Sequence, residues 1–67
     1  MNGHFQREYR EREKLTQAEL ANEVSVSENY IYMIEAGVRT PSVDTAKKIA
    51  TRLGFDWTQY YQEGESA

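Results

Sequence analysis

Two helix-start signals standing close together constrain this chain more than any other feature. Thr16 and Glu19 form a T-x-x-E capping box, in which side chains and backbone satisfy two orphan amide donors reciprocally. Leu15 and Leu20 occupy the hydrophobic-staple positions around it. Leu20, Ala21 and Val24 then supply one apolar stripe. After the connector Ser25, Val26, Ser27, the Ser27 hydroxyl is placed to cap another helix. That helix runs to about Ala36, with Ile31 and Ile34 inward, and Gly37 fits the left-handed position that ends it. Two capped helices joined by so short a connector predict a helix-turn-helix.

The flanking sequence extends the same pattern. A first helix is expected from Gly3 to Glu13, with Phe5, Tyr9 and Arg12 on one face. Arg7 and Arg12 are interleaved with Glu8, Glu11 and Glu13, which predicts surface ion pairs. Val38 to Pro41 reads as a loop. Ser42 then caps a fourth helix striped by Val43, Ala46, Ile49, Ala50 and Leu53, and Gly54 closes it. Asp56 and Gln59 read as a second capping box, D-x-x-Q, opening a short fifth helix with Trp57, Tyr60 and Tyr61. Residues 63–67 read as a frayed tail. No run alternates with a strand's period of two. The expectation is an all-α, compact five-helix domain over residues 1–62.

Size narrows the function. A chain of 67 residues buries only about 60% of the surface it exposes when unfolded. It has little room for a substrate cavity of several hundred Å³ as well. There is no cysteine, and the single histidine, His4, reads as a solvated residue near the N-terminus, so no metal site is expected. No catalytic constellation or glycine-rich phosphate loop is present, and no enzyme, cofactor or small-molecule ligand is expected. No apolar run approaches the roughly 20 residues of a membrane span. No secretory signal pattern is present either, so the expected location is cytoplasmic. The net charge of −3 predicts weak non-specific attraction to polyanions, so the placement of individual cations matters more than their sum.

From about residue 9 to 54 the chain resembles the phage repressor and Cro (XRE) helix-turn-helix family. The matching residues are Arg10, the run LTQAELA from Leu15 to Ala21, Val26 and Ser27, Ile31, the run IEAG from Ile34 to Gly37, Pro41 and Ser42, and KIATRLG from Lys48 to Gly54. Their order and spacing carry the likeness, since any one fragment would be weak. The resemblance implies a lambda-repressor-like domain in which helices two and three form the motif. Helix three, about residues 27–36, would enter the major groove of double-stranded DNA, with a homodimer meeting two half-sites. A sequence-specific, repressor-like transcriptional regulator is the function implied.

The resemblance also implies roles for particular residues. Ser27, Glu28, Asn29, Tyr32 and Met33 match base-reading or groove-edge positions. Asn29 has the amide that pairs with adenine, Glu28 an acceptor for cytosine N4, and Met33 an apolar tip for the thymine methyl. Tyr30 reads instead as a half-buried packing residue. Gln17 matches a phosphate contact at a helix start. Arg39 is expected as the main backbone anchor, with Lys14 and Arg10 as further candidates. Arg10 and Glu35 match a structural ion pair between helix one and the end of helix three. Trp57, Tyr60 and Tyr61 are the candidate dimer surface, because aromatic residues are enriched at interface cores. Lys47, Lys48 and Arg52 read as a solvated face. The sequence departs from the family pattern at Gln6, usually apolar, at Ala36, commonly polar, and in carrying no Lys or Arg on helix three. Those departures keep a second function in play: a protein-interaction module of the same fold, such as an antirepressor, adaptor or antitoxin.

Overall fold

The computed structural model describes residues 4–61. Four α-helices follow one another: α1 (His4–Arg12), α2 (Gln17–Glu23), α3 (Glu28–Glu35) and α4 (Val43–Leu53). A 3₁₀ helix spans Trp57–Tyr61. No strand occurs among the described residues. The expected start at Gly3 and the tail at 63–67 lie outside them.

The helix starts follow local chemistry. The Thr16 hydroxyl accepts from the Glu19 amide at 3.0 Å, while the Glu19 carboxylate accepts from the Thr16 amide at 2.8 Å. Ser27 Oγ accepts from the Tyr30 amide at 3.1 Å, and Ser42 Oγ from the Thr45 amide at 3.3 Å. Each bond satisfies an amide that the helix itself leaves unpaired.

The last element corrects the sequence reading. The fifth helix is a 3₁₀ helix, not an α-helix, and the Asp56–Gln59 box does not form. The Asp56 carboxylate accepts instead from the amide and hydroxyl of Thr58, at 3.0 and 2.8 Å. The Gln59 amide bonds to the Asp56 carbonyl at 3.0 Å. That three-residue closure winds the chain into the tighter helix.

All four α-helices close in the same way. One or two residues past each helix end the chain turns left-handed: Lys14 (φ 59°), Ser25 (φ 61°), Gly37 (φ 80°) and Gly54 (φ 86°). The next amide then reaches back five residues to a carbonyl, Leu15 to Arg10, Val26 to Ala21, Val38 to Met33 and Phe55 to Ala50. The first three also make the inner bond of a Schellman closure, Lys14 to Glu11, Ser25 to Asn22 and Gly37 to Ile34. Gly37 and Gly54 take this conformation without cost. Lys14 and Ser25 do so against the steric pressure of Cβ.

Leu20, Ile31, Ile34, Ala46 and Ile49 are fully buried at the centre, with Ala21, Val24, Leu53 and Tyr60 around them. An aromatic cluster joins α1 to the C-terminal segment. Phe5 packs edge-on to Phe55 with centroids 5.1 Å apart and lies 5.0 Å from Tyr60, and Tyr9 lies 4.9 Å from Phe55. Such contacts contribute about 0.5–1.5 kcal/mol each beyond area burial. The face of α1 also differs from expectation. Arg12 is exposed, with its guanidinium 4.9 Å over the Tyr9 ring. The buried line on α1 is polar, Gln6 and Arg10 at i, i+4.

Those two residues belong to a closed polar network. Glu35 accepts from Arg10 Nε at 2.8 Å and from Arg10 Nη2 at 2.9 Å. It also accepts from Gln6 Nε2 at 2.9 Å and Gln17 Nε2 at 3.1 Å. Arg10 Nη1 donates to the Leu15 carbonyl at 2.8 Å, and the Tyr60 hydroxyl donates to Gln6 Oε1 at 2.5 Å. Among the described residues no buried side-chain polar atom is left without a partner. Burial alone would raise the Glu35 pKa, but donors from Arg10, Gln17 and Gln6 outweigh it and hold the carboxyl below its ordinary value. The same bonds raise the pKa of Arg10. Burial pushes the Tyr60 phenol far above its ordinary range.

These closures and bonds have measurable consequences for stability. Ser25→Gly removes the left-handed strain at the helix-turn-helix corner. After the added chain entropy of glycine is deducted, stability should rise by about 0.5–1 kcal/mol. A urea melt measures this, with the midpoint rising at unchanged slope. Stability should also fall at both ends of the pH scale. The depressed Glu35 pKa contributes stability above about pH 4, and this is lost as acid protonates the folded carboxylate. The raised Tyr60 pKa contributes stability below about pH 10, lost as the unfolded phenol ionises above it. Tyr60→Phe should cost about 1–3 kcal/mol at neutral pH by orphaning Gln6 Oε1, and should flatten the alkaline limb of melting temperature against pH.

Candidate nucleic-acid interface

The third helix divides cleanly into an inner and an outer face. Ile31, Ile34 and Glu35 are buried, whereas Glu28, Asn29 and Tyr32 are exposed and Met33 is half-buried. Tyr32 is 55% exposed, unusual for a large ring with no neighbour to cover it. Ser27 stands at the helix start with its hydroxyl engaged in the cap. Glu28, Asn29 and Tyr32 therefore share the open side of α3, with Ser27 at its start and Met33 at its margin. Ala36, on the same side, is exposed and adds no polar group.

An open cleft runs beside this face. Arg7, Lys14, Gln17, Glu28 and Tyr32 line it, so it joins α1, the start of α2 and the outer side of α3. Gln17 is half-buried, and its amide donates to Glu35, which ties the beginning of α2 to the end of α3. Lys14 is exposed at the left-handed corner between α1 and α2. Arg7 is paired with Glu11 at 3.0 Å on the open face of α1.

Arg10 and Glu35 also line this cleft, but they are committed to each other. Arg10 is 7% exposed, with Nε and Nη2 on Glu35 and Nη1 on a backbone carbonyl. Its guanidinium donors are taken up by Glu35 and the Leu15 carbonyl, so the geometry favours the ion-pair role over the phosphate role. Arg39 is exposed in the loop after α3, with its guanidinium 5.2 Å from the centroid of the Tyr30 ring. Tyr30 is half-buried against the core, and its hydroxyl accepts from the Ser42 amide at 3.3 Å.

The three aromatic residues suggested for a dimer surface separate. Tyr60 is 2% exposed and committed to the interior through Gln6 and the aromatic cluster, so it has no surface to offer a second copy. Trp57 is half-buried, with Lys47 Nζ 5.2 Å from its ring centroid. Tyr61 is 40% exposed, and its hydroxyl donates to the Pro41 carbonyl at 2.7 Å. Val43, 46% exposed at the start of α4, adds apolar surface. Arg52, expected on a solvated face, bridges three segments by pairing with Glu23 of α2 and with Glu13 after α1.

Sequence reasoning missed Gln6. It is fully buried and links Glu35 to Tyr60. The available signal was its spacing, one helical turn before Arg10 on the same face.

Comparison with known proteins agrees with this arrangement. The helix-turn-helix family HTH_3 matches residues 6–59. An uncharacterized HTH-type transcriptional regulator, YqaF of Bacillus subtilis (strain 168), is 46% identical over 48 residues, covering 72% of this chain. The match spans 63% of that relative's length. The solved structure of the SinR protein/SinI protein complex superimposes with a TM-score of 0.82 at 26% identity, covering 100% of this chain and 67% of the matched one. The family match takes in α1 from Gln6 on, the other three α-helices and, apart from Tyr60, the polar network that joins them, and the chain belongs to the XRE-type helix-turn-helix family.

Proposed function

We propose that this chain is a sequence-specific DNA-binding transcriptional regulator that reads the major groove with the outer face of α3. The observation that carries the reading is the outward cluster Glu28, Asn29 and Tyr32 on a helix whose inner face is locked into the core. A rigid helix with polar tips at its N-terminal end fits base-edge readout. Asn29 supplies the bidentate amide for adenine, Glu28 accepts from cytosine, and Ser27, Tyr32 and Met33 edge the contact. Gln17, Lys14 and Arg39 contact the backbone on either side. The protein acts as a homodimer in the cytoplasm, through the Trp57, Tyr61 and Val43 surface, and represses by occupying an operator.

One observation favours a second role on the same scaffold. The solved structure it resembles holds SinR together with a protein partner, SinI. A protein-binding role would use the apolar surface and respond little to salt. DNA binding must weaken steeply as salt rises, because phosphate contacts release counterions.

Selection from a random duplex library at moderate salt is the deciding experiment. A motif of two half-sites about one helical turn apart is expected. Asn29→Ala should relax preference at one base position by about 1–3 kcal/mol. Arg39→Ala should weaken all sequences alike. An unaltered motif for Asn29→Ala would remove it from the base-reading set. A folded protein that selects no duplex would move the function to the protein-binding alternative.

A further inference from the structure

The third helix carries no Lys or Arg, so any cation near its outer face must come from another segment. Arg39 is an exposed cation in the loop that follows α3, and its position is set by α3 itself. Its guanidinium lies 5.2 Å from the Tyr30 ring centroid, and Tyr30 belongs to α3. The ring is anchored on both sides. Its body packs against the hydrophobic core, and its hydroxyl accepts from the amide of Ser42, the cap of α4. The loop backbone is pinned as well, with the Val38 and Arg39 amides both bonded to the Met33 carbonyl at 3.0 and 3.3 Å.

We infer that Tyr30 is a positioning residue for Arg39, holding its guanidinium at the flank of the recognition helix as the cation for a DNA phosphate. The role rests on the DNA-binding reading above. Stacking suits the task chemically. A guanidinium on an aromatic face keeps its N–H donors in its own plane, free to grip a phosphate edge-on. A lysine at position 39 would hold the charge but lose the planar fork. The ring also restricts an otherwise mobile side chain before DNA arrives, so less ordering remains at binding.

The test compares Tyr30→Leu, Tyr30→Phe, Arg39→Ala and the double variant Tyr30→Leu/Arg39→Ala. Binding to one selected duplex is measured across a salt series. Tyr30→Leu should lower affinity by about two- to fivefold. It should also reduce the slope of log affinity against log salt by about 0.9, the signature of one lost phosphate contact. Tyr30→Phe keeps the ring and should keep the slope, even if loss of the Ser42 bond lowers its melting temperature. In the Arg39→Ala background Tyr30→Leu should have no further effect on binding. A slope unchanged in Tyr30→Leu, or losses that simply add in the double variant, would show that Tyr30 only packs. Proton NMR of the DNA-free protein gives an independent readout. The Arg39 side-chain protons should be shifted upfield by the ring and return to ordinary positions in Tyr30→Leu, and absence of that shift in the wild type would overturn the pairing. Wild-type protein that binds no duplex overturns the DNA reading and this role together. Wild-type binding with an unchanged slope in Tyr30→Leu overturns this role alone.

Discussion

The carboxylate of Glu35 is the point on which the rest of the molecule depends. It sits at the end of α3, 6% exposed, and accepts four hydrogen bonds from three side chains. Two of those side chains come from α1 and one from α2. Through Gln6 the network reaches Tyr60 in the C-terminal 3₁₀ helix, and through Arg10 it reaches the corner before α2. A small helical domain has few buried contacts with which to fix helix orientation. Apolar packing of Ile31 and Ile34 presses α3 against the core, but it is non-directional. Bidentate ion pairing is directional, and it sets the rotation of α3 about its own axis. A buried pair of this kind need not add net stability relative to a well-packed apolar substitute. Its value here is geometric, because rotation of α3 decides which side chains face outward.

That rotation has a functional consequence. With Glu35 locked inward, Glu28, Asn29 and Tyr32 must face out, and the start of α2 is held beside them through Gln17. The outward face has little positive charge of its own. Arg7 and Lys14 line the cleft beside it and Arg39 stands in the loop after α3, while Arg10 is committed to Glu35. An overall charge of −3 gives little long-range attraction for polyanions, so the placement of individual cations matters more than their sum. The left-handed corners support the same geometry. Lys14 and Ser25 give up some stability to hold the angles between α1, α2 and α3, a form of strain that proteins retain where orientation matters.

Much of the architecture was legible in the sequence because helix starts are written locally. Thr16 with Glu19, Ser27 and Ser42 act on amides three residues ahead, and each cap appears where its residues predict. Gly37 and Gly54 mark closures for the same reason. Lys14 and Ser25 close helices in the same conformation but carry no compositional mark of it. Asp56 was misread because an acidic residue opens an α-helix and an Asx turn equally well, and only the Thr58 partner distinguishes them. The polar network was the least legible. Arg10 and Glu35 were paired through family resemblance and not through spacing. Gln6 acquires its role from residues 29 and 54 positions away, Glu35 and Tyr60, which no local pattern encodes. Tyr60 was assigned to the surface because aromatic residues suit both cores and interfaces, and its hydroxyl found a buried partner.

A double-mutant cycle on Arg10 and Glu35, read by urea denaturation, tests the central claim most directly. Arg10→Leu and Glu35→Leu should each cost about 3–5 kcal/mol, because each leaves a buried charge uncompensated. The double variant should be no less stable than either single variant, giving a coupling of about 3 kcal/mol or more. Costs that add, or single variants that melt like the wild type, would show that α3 is oriented by packing alone and that the buried carboxylate does not govern its face.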